Sequence, residues 1–182
     1  MKIIARLSTA LVLTTLSLVG FAADKPEERK KLQTEVDEAI KLFKATDSSL
    51  DGIFKKAAGY AIFPSVGKGG FIIGGAHGKG QVYEAGKLAG YASITQVTVG
   101  AQIGGQSYSE VILFETKEAL ARFKESELTM SAQVSAVAAA EGASQNAKYV
   151  EGVMVFTKAK QGLMAEASIG GQKFKFEPLE KK

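Results

Sequence analysis

The residues able to do chemistry are few, and many of them fall in one stretch. Gly59 to Tyr83 holds the only histidine, His77, and eight glycines in 25 residues. Gly67-Lys68-Gly69-Gly70, followed by Gly74-Gly75, has the outline of a phosphate-binding loop. That chemistry needs a lysine followed by Ser or Thr at a helix start. Here the apolar run Phe71 to Ile73 follows instead, which reads as a strand. A lone histidine cannot supply a histidine pair for a metal, the chain has no cysteine, and Asp and Glu do not cluster at ligand spacing. A catalytic triad would have to use His77, and no Gly-x-Ser-x-Gly elbow occurs. A histidine serving a sheet or a turn is the simpler reading. No catalytic residue, metal site or cofactor is predicted, and nothing argues for an enzyme.

Charge is the remaining signal. Between Gly52 and Gly90 there are five lysines (Lys55, Lys56, Lys68, Lys79 and Lys87) and one acid, Glu84, a local +4. The whole chain carries +4, and without Lys2 and Arg6 it carries only +2. That balance argues against a general nucleic-acid binder. Residues 49–57 read as a short amphipathic helix with Leu50, Ile53, Phe54 and Ala57 on one side and Asp51, Lys55 and Lys56 elsewhere. Two readings stand. The apolar side packs onto a sheet, or Ile53 and Phe54 enter a bilayer edge while Lys55 and Lys56 meet phosphates. The candidate lipid-binding residues are thus Ile53, Phe54, Lys55, Lys56, Lys68 and Lys79. The four lysines are expected to form one basic face with Phe54 as its apolar contact, and Lys68 and Lys79 are expected in or beside turns.

The elements that position them follow from periodicity. Lys2 and Arg6 precede an apolar run, Leu7 to Phe21, and Gly20-Phe21-Ala22 ends it with small residues. This predicts a signal peptide over 1–22, cleaved after Ala22, and a periplasmic protein of one domain over 23–182. No cysteine follows the run, so no lipid-anchored cysteine is expected. Asp24, Pro26 and Glu27 mark a helix start, and Leu32, Val36, Ile40 and Phe43 extend it over 25–45. Ser48 is the expected cap of the second helix. Strands are predicted at about 60–64, 70–77, 79–84 and 88–99, with Ala85-Gly86-Lys87 as a hairpin turn. Gly70, Gly74 and Gly75, flanked by apolar residues, are expected where the sheet bends or where two backbones meet. After a glycine bend at Gln102 to Gln106 come a strand, Tyr108 to Glu115, and a helix over 117–125 capped by Thr116. Leu128 to Ala140 alternates every second residue and reads as a strand. Glu141 to Lys148 reads as a loop. Val150 to Thr157 and Leu163 to Ile169 read as a hairpin, and Phe174 and Phe176 as a final strand. Ala101 to Gln106 is echoed by Ala167 to Gln172, read as two equivalent glycine bends.

Ala57 to Gly80, Val99 to Gln106, Glu110 to Phe123, Ser131 to Gly142 and Val155 to Gly171 together resemble the SYLF domain family, in its secreted bacterial form. The resemblance covers nearly the whole of 23–182 in order. It implies a compact α+β fold and phospholipid binding through an amphipathic helix and basic residues near the domain's start, which fall here on Ser49 to Ala57 with Lys55 and Lys56. The family's usual tryptophan is absent, and Tyr91 lies near its place. Actin regulation, a property of eukaryotic members with added segments, is not expected. The sequence therefore predicts an α+β fold, a curved antiparallel, barrel-like sheet flanked by N-terminal helices and one mid-chain helix. It predicts a non-enzymatic periplasmic protein, peripheral on the envelope membrane, that binds phospholipid or another anionic amphiphile. The alternative is a protein-interaction or envelope-stress module using the same surface.

Overall fold

The computed structural model describes residues 26–69, 73–99, 106–126, 136–160 and 171–179. The expected signal peptide lies outside them. Helix α1, Pro26–Thr46, opens on a proline with Glu27 and Glu28 in its first turn and carries Lys44 in its last. The proline suits a position that has no N–H to lose, and the charges oppose the helix dipole. The short helix α2, Leu50–Lys56, follows at once. Its cap differs from the expectation. Asp47, not Ser48, stitches the junction: its Oδ1 accepts from Ser49 N at 3.1 Å and from Ser49 Oγ, and its Oδ2 accepts from Ser144 N at 2.7 Å. The Ser48 hydroxyl donates instead to Glu141 Oε1 at 3.1 Å.

The strands are β1 Gly59–Gly69, β2 Ile73–Glu84, β3 Lys87–Val99, β4 Gln106–Phe114, β5 Ala136–Ala138, β6 Val153–Ala159 and β7 Gln172–Pro178. They form one sheet in the order β5-β6-β4-β1-β2-β3-β7. All neighbours are antiparallel except β5 and β6, which run parallel. Helix α3, Lys117–Lys124, is capped by Thr116, whose hydroxyl accepts from Ala119 N at 3.2 Å.

The α+β class and the curved sheet agree with the sequence reading. The curl is strong. Gln172 of β7 donates to Glu110 Oε2 of β4 at 2.9 Å although three strands lie between them. On a flat sheet these strands would be about 19 Å apart. The sheet is nevertheless open, with β5 and β7 as its edges among the described residues. The concave face holds one core, in which Phe63, Phe123 and Phe174 meet and α3 sits. The opposite face holds a second, where Val36 and Phe43 of α1 and Leu50 and Phe54 of α2 pack on Ile62, Val111, Leu113 and Phe156.

Several local expectations change. The strands expected at 70–77 and 79–84 are one continuous β2, so Lys79 sits mid-strand and not in a turn. Its flanking glycines are close-approach sites, not breaks: a Cβ on Gly80 would lie 2.6 Å from Phe63 Cδ1. By contrast a Cβ on Gly75 would meet only Gln96 O at 3.7 Å, so the crowding expected at Gly75 is absent. Gly70 lies outside the described residues. The β2–β3 hairpin turns at Ala85 and Gly86, with φ of 47° and 75°, the double positive φ that a two-residue turn of matching twist needs. Of the strand expected over Leu128 to Ala140, only Ala136–Ala138 is seen, and 127–135 lies outside the described residues. The loop after it contains a 3-10 turn, Ala143–Gln145. The Leu163 to Ile169 half of the expected hairpin lies outside them as well, as does most of the two-fold glycine echo. The last residues of that echo, Gln106 and Gln172, open β4 and β7.

Candidate functional site

Helix α2 is anchored from within. Phe54 is only 8% exposed, and its ring meets Tyr60 edge-on at 5.0 Å. Lys44 Nζ lies 5.2 Å from the same ring's centroid. Ile53 is half-buried against the second core. The apolar side of α2 therefore packs onto the sheet, and Phe54 is not the surface contact expected from the sequence. Burying the ring removes more apolar area from water than leaving it at the surface would. The lysines are left outside. Lys55 and Lys56 are both exposed, and Lys55 Nζ pairs with Asp51 Oδ2 at 2.5 Å. Asp51 also accepts from Lys44 Nζ at 2.8 Å, and these hydrogen bonds hold its carboxyl down to about 2.

The hairpin β1–β2 separates the other two lysines from this helix. Lys56 stands three residues before β1, whereas Lys68 is at its far end, in register with Ala76. The strand from Gly59 to Lys68 spans about 30 Å, somewhat less where the bulge at Pro64 shortens it. Lys79 sits between these ends, opposite Ser65, and its Nζ lies 4.0 Å from Glu28 Oε2 of α1. The four lysines thus do not gather into one face. The reason is the continuity of β1 and β2, which carries Lys68 and Lys79 away from α2.

Another grouping takes its place. The register puts His77, Thr95 and Lys173 side by side on β2, β3 and β7, and Lys79, Ser93 and Lys175 in the next row. His77, Lys79, Thr95, Lys173 and Lys175 are exposed, and Ser93 is half-buried. The row beyond, Gln81, Tyr91 and Glu177, runs under α1, where the Arg29 guanidinium lies 4.9 Å from the Tyr91 ring centroid. Lys173 and Lys175 were missed in the sequence. Their signal was there in the alternation with Phe174 and Phe176, which buries the rings on one face and turns the lysines to the other. Among the described residues no group of three or more His, Cys, Asp and Glu could hold a metal ion. No helix of the described residues is long and apolar enough to cross a membrane.

The family model described as Ysc84, Las17-binding protein actin regulator, matches residues 95–179. Residues 95–179 are thus similar to the Ysc84, or SYLF, family over just under half of the chain. No curated protein matches the chain. The Ysc84 match takes in the end of β3, then β4, α3, β5, β6 and β7, and so includes Thr95, Lys173 and Lys175. Helices α1 and α2 and the β1–β2 hairpin, with Lys55, Lys56, Lys68 and Lys79, precede the Ysc84 match. The two parts share one sheet, because β1 pairs with β4 and β3 with β7.

Proposed function

We propose that this protein is a non-enzymatic, exported binding protein that attaches peripherally to anionic phospholipid on the periplasmic side of an envelope membrane. The observation that carries this reading is α2. Its aromatic ring is locked inward, and Lys55 and Lys56 stand exposed on its last turn. Such a helix meets a membrane at the level of the headgroups and does not insert a ring between the acyl chains. Each lysine near an anionic surface contributes about 1 kcal/mol, and the attraction fades within a Debye length. The Lys2, Arg6 and Gly20-Phe21-Ala22 pattern supports export with cleavage after Ala22. SYLF domains are linked to lipid binding, which supports the ligand class.

A second reading, a module that binds a protein partner through the same surface, is favoured by the family's description as binding the protein Las17. Protein-free vesicles separate the two. Co-sedimentation with phosphatidylglycerol vesicles but not with phosphatidylcholine vesicles, lost at high salt, is expected for the lipid reading. Equal sedimentation with both, or with neither, rejects it. The intact mass of the protein extracted from the envelope tests the address: a mass that includes Met1 to Ala22 rules cleavage out.

A further inference from the structure

The cross-strand rows on β2, β3 and β7 form a polar face that α1 covers only at one margin. Neighbouring strands stand about 4.8 Å apart, and alternate residues of a strand about 7 Å apart. Lys79, Lys173 and Lys175 therefore arise within roughly 12 Å of one another, interleaved with the hydroxyls of Ser93 and Thr95. Between this face and α1 lies a hollow lined by Leu32, His77, Lys79, Tyr91, Ser93 and Glu177. The Arg29 guanidinium lies over the ring of Tyr91, one of these lining residues, and its Nε is buried and donates to no group among the described residues. Among the described residues Glu28 lies 4.0 Å from Lys79 and Glu177 lies 3.4 Å from Lys175, and Glu35 lines a neighbouring hollow with Lys79. Both ion pairs are exposed, contribute little and exchange readily.

We propose that this face is a second phosphate-recognising surface of the protein, occupied by headgroups of an anionic phospholipid bilayer. One phosphate enters the hollow beside Arg29, His77, Lys79 and Ser93, and Lys173 and Lys175 meet its neighbours. The inference rests on the lipid reading given above and adds a site to it. Charge complementarity sets the ligand's sign, with Arg29, Lys31, Lys79, Lys173 and Lys175 against Glu28, Glu35 and Glu177. Ammonium groups and hydroxyls placed together are the donors a phosphate oxygen takes. The spread of the cations over two rows exceeds one phosphate, which favours a membrane surface over a single soluble anion.

The test uses the full chain and vesicles of phosphatidylcholine with or without phosphatidylglycerol. A triple variant, Lys79→Gln, Lys173→Gln and Lys175→Gln, is compared with a control of the same charge change on other exposed lysines, Lys41→Gln, Lys117→Gln and Lys148→Gln. The sheet-face variant is expected to lose affinity by on the order of a hundredfold and the control by much less. A footprint on the unmutated protein guards against misfolding of the variant. Vesicles should protect Lys79, Lys173 and Lys175 from an amine-reactive reagent and leave Lys117 and Lys148 reactive. If the unmutated protein binds and the sheet-face triple binds as well as the control, or those lysines stay reactive, this site is wrong and the lipid reading survives. If the unmutated protein does not bind phosphatidylglycerol vesicles, both fall.

Discussion

Asp47 and Phe54 show how single side chains set the N-terminal half. Asp47 is fully buried. Burial alone would push its carboxyl up, but hydrogen bonds from Ser49 and Ser144 outweigh that and hold it at about 2, below the ordinary 3.8. A group whose folded value is depressed stabilises fully above its unfolded value and loses that contribution as the pH falls through the folded one. The window here lies between about pH 4 and pH 2, and the contribution is about 2 kcal/mol. Unfolding by urea across this range should show the native protein losing stability faster than Asp47→Asn, whereas parallel curves would remove Asp47 from the acid response. Phe54 supports a different expectation. Phe54→Ala should cost about 3–5 kcal/mol of stability, through the cavity it leaves in the second core. Vesicle binding by the protein that remains folded should be unchanged. A fall in binding with no fall in the denaturation midpoint would mean that the ring reaches the membrane after all.

At the scale of elements, the sheet is held in shape by where backbones can approach. Gly80→Val should destabilise by about 1–3 kcal/mol, because the new side chain has to displace Phe63. Gly75→Val should leave the denaturation midpoint nearly unchanged, because its site is exposed and open. Equal losses at both positions would contradict the assignment of the close contacts. Elements set by local chemistry were legible in the sequence. The Pro26 start of α1, the Thr116 cap of α3 and the turn at Ala85 and Gly86 each follow from a few adjacent residues. Elements set by distant partners were not. Gly78 and Gly80 look like strand breaks until Ser65, Val66 and Phe63 are placed against them. The parallel pairing of Ala136–Ala138 with β6 has no local signature at all. Asp47 was missed as a cap because half of its partners come from Ser144, far along the chain.

The whole molecule is one curled sheet with a core on each face, and this decides what can be functional. Among the described residues, exposed polar surface includes α2's outer side and the part of β2, β3 and β7 that α1 leaves uncovered. The local +4 of residues 52–90 pointed to one basic face, and in the fold Lys55, Lys56 and Lys79 are exposed but not gathered. It could not show that β1 holds α2 and Lys68 apart, or that β7 returns two lysines to the side of His77. Charge density along a chain becomes charge density on a surface only through strand register.

The central claim is that exposed lysines on α2 hold the protein to anionic headgroups. The most direct measurement is the affinity for phosphatidylglycerol vesicles of Lys55→Glu with Lys56→Glu, against Lys117→Glu with Lys148→Glu as a pair of equal charge change. The α2 pair is expected to lose more than tenfold, with added salt bringing the unmutated protein down towards the same value, and the control pair is expected to lose far less. Equal losses for the two pairs would show that net charge alone attracts the protein and that α2 is not its contact.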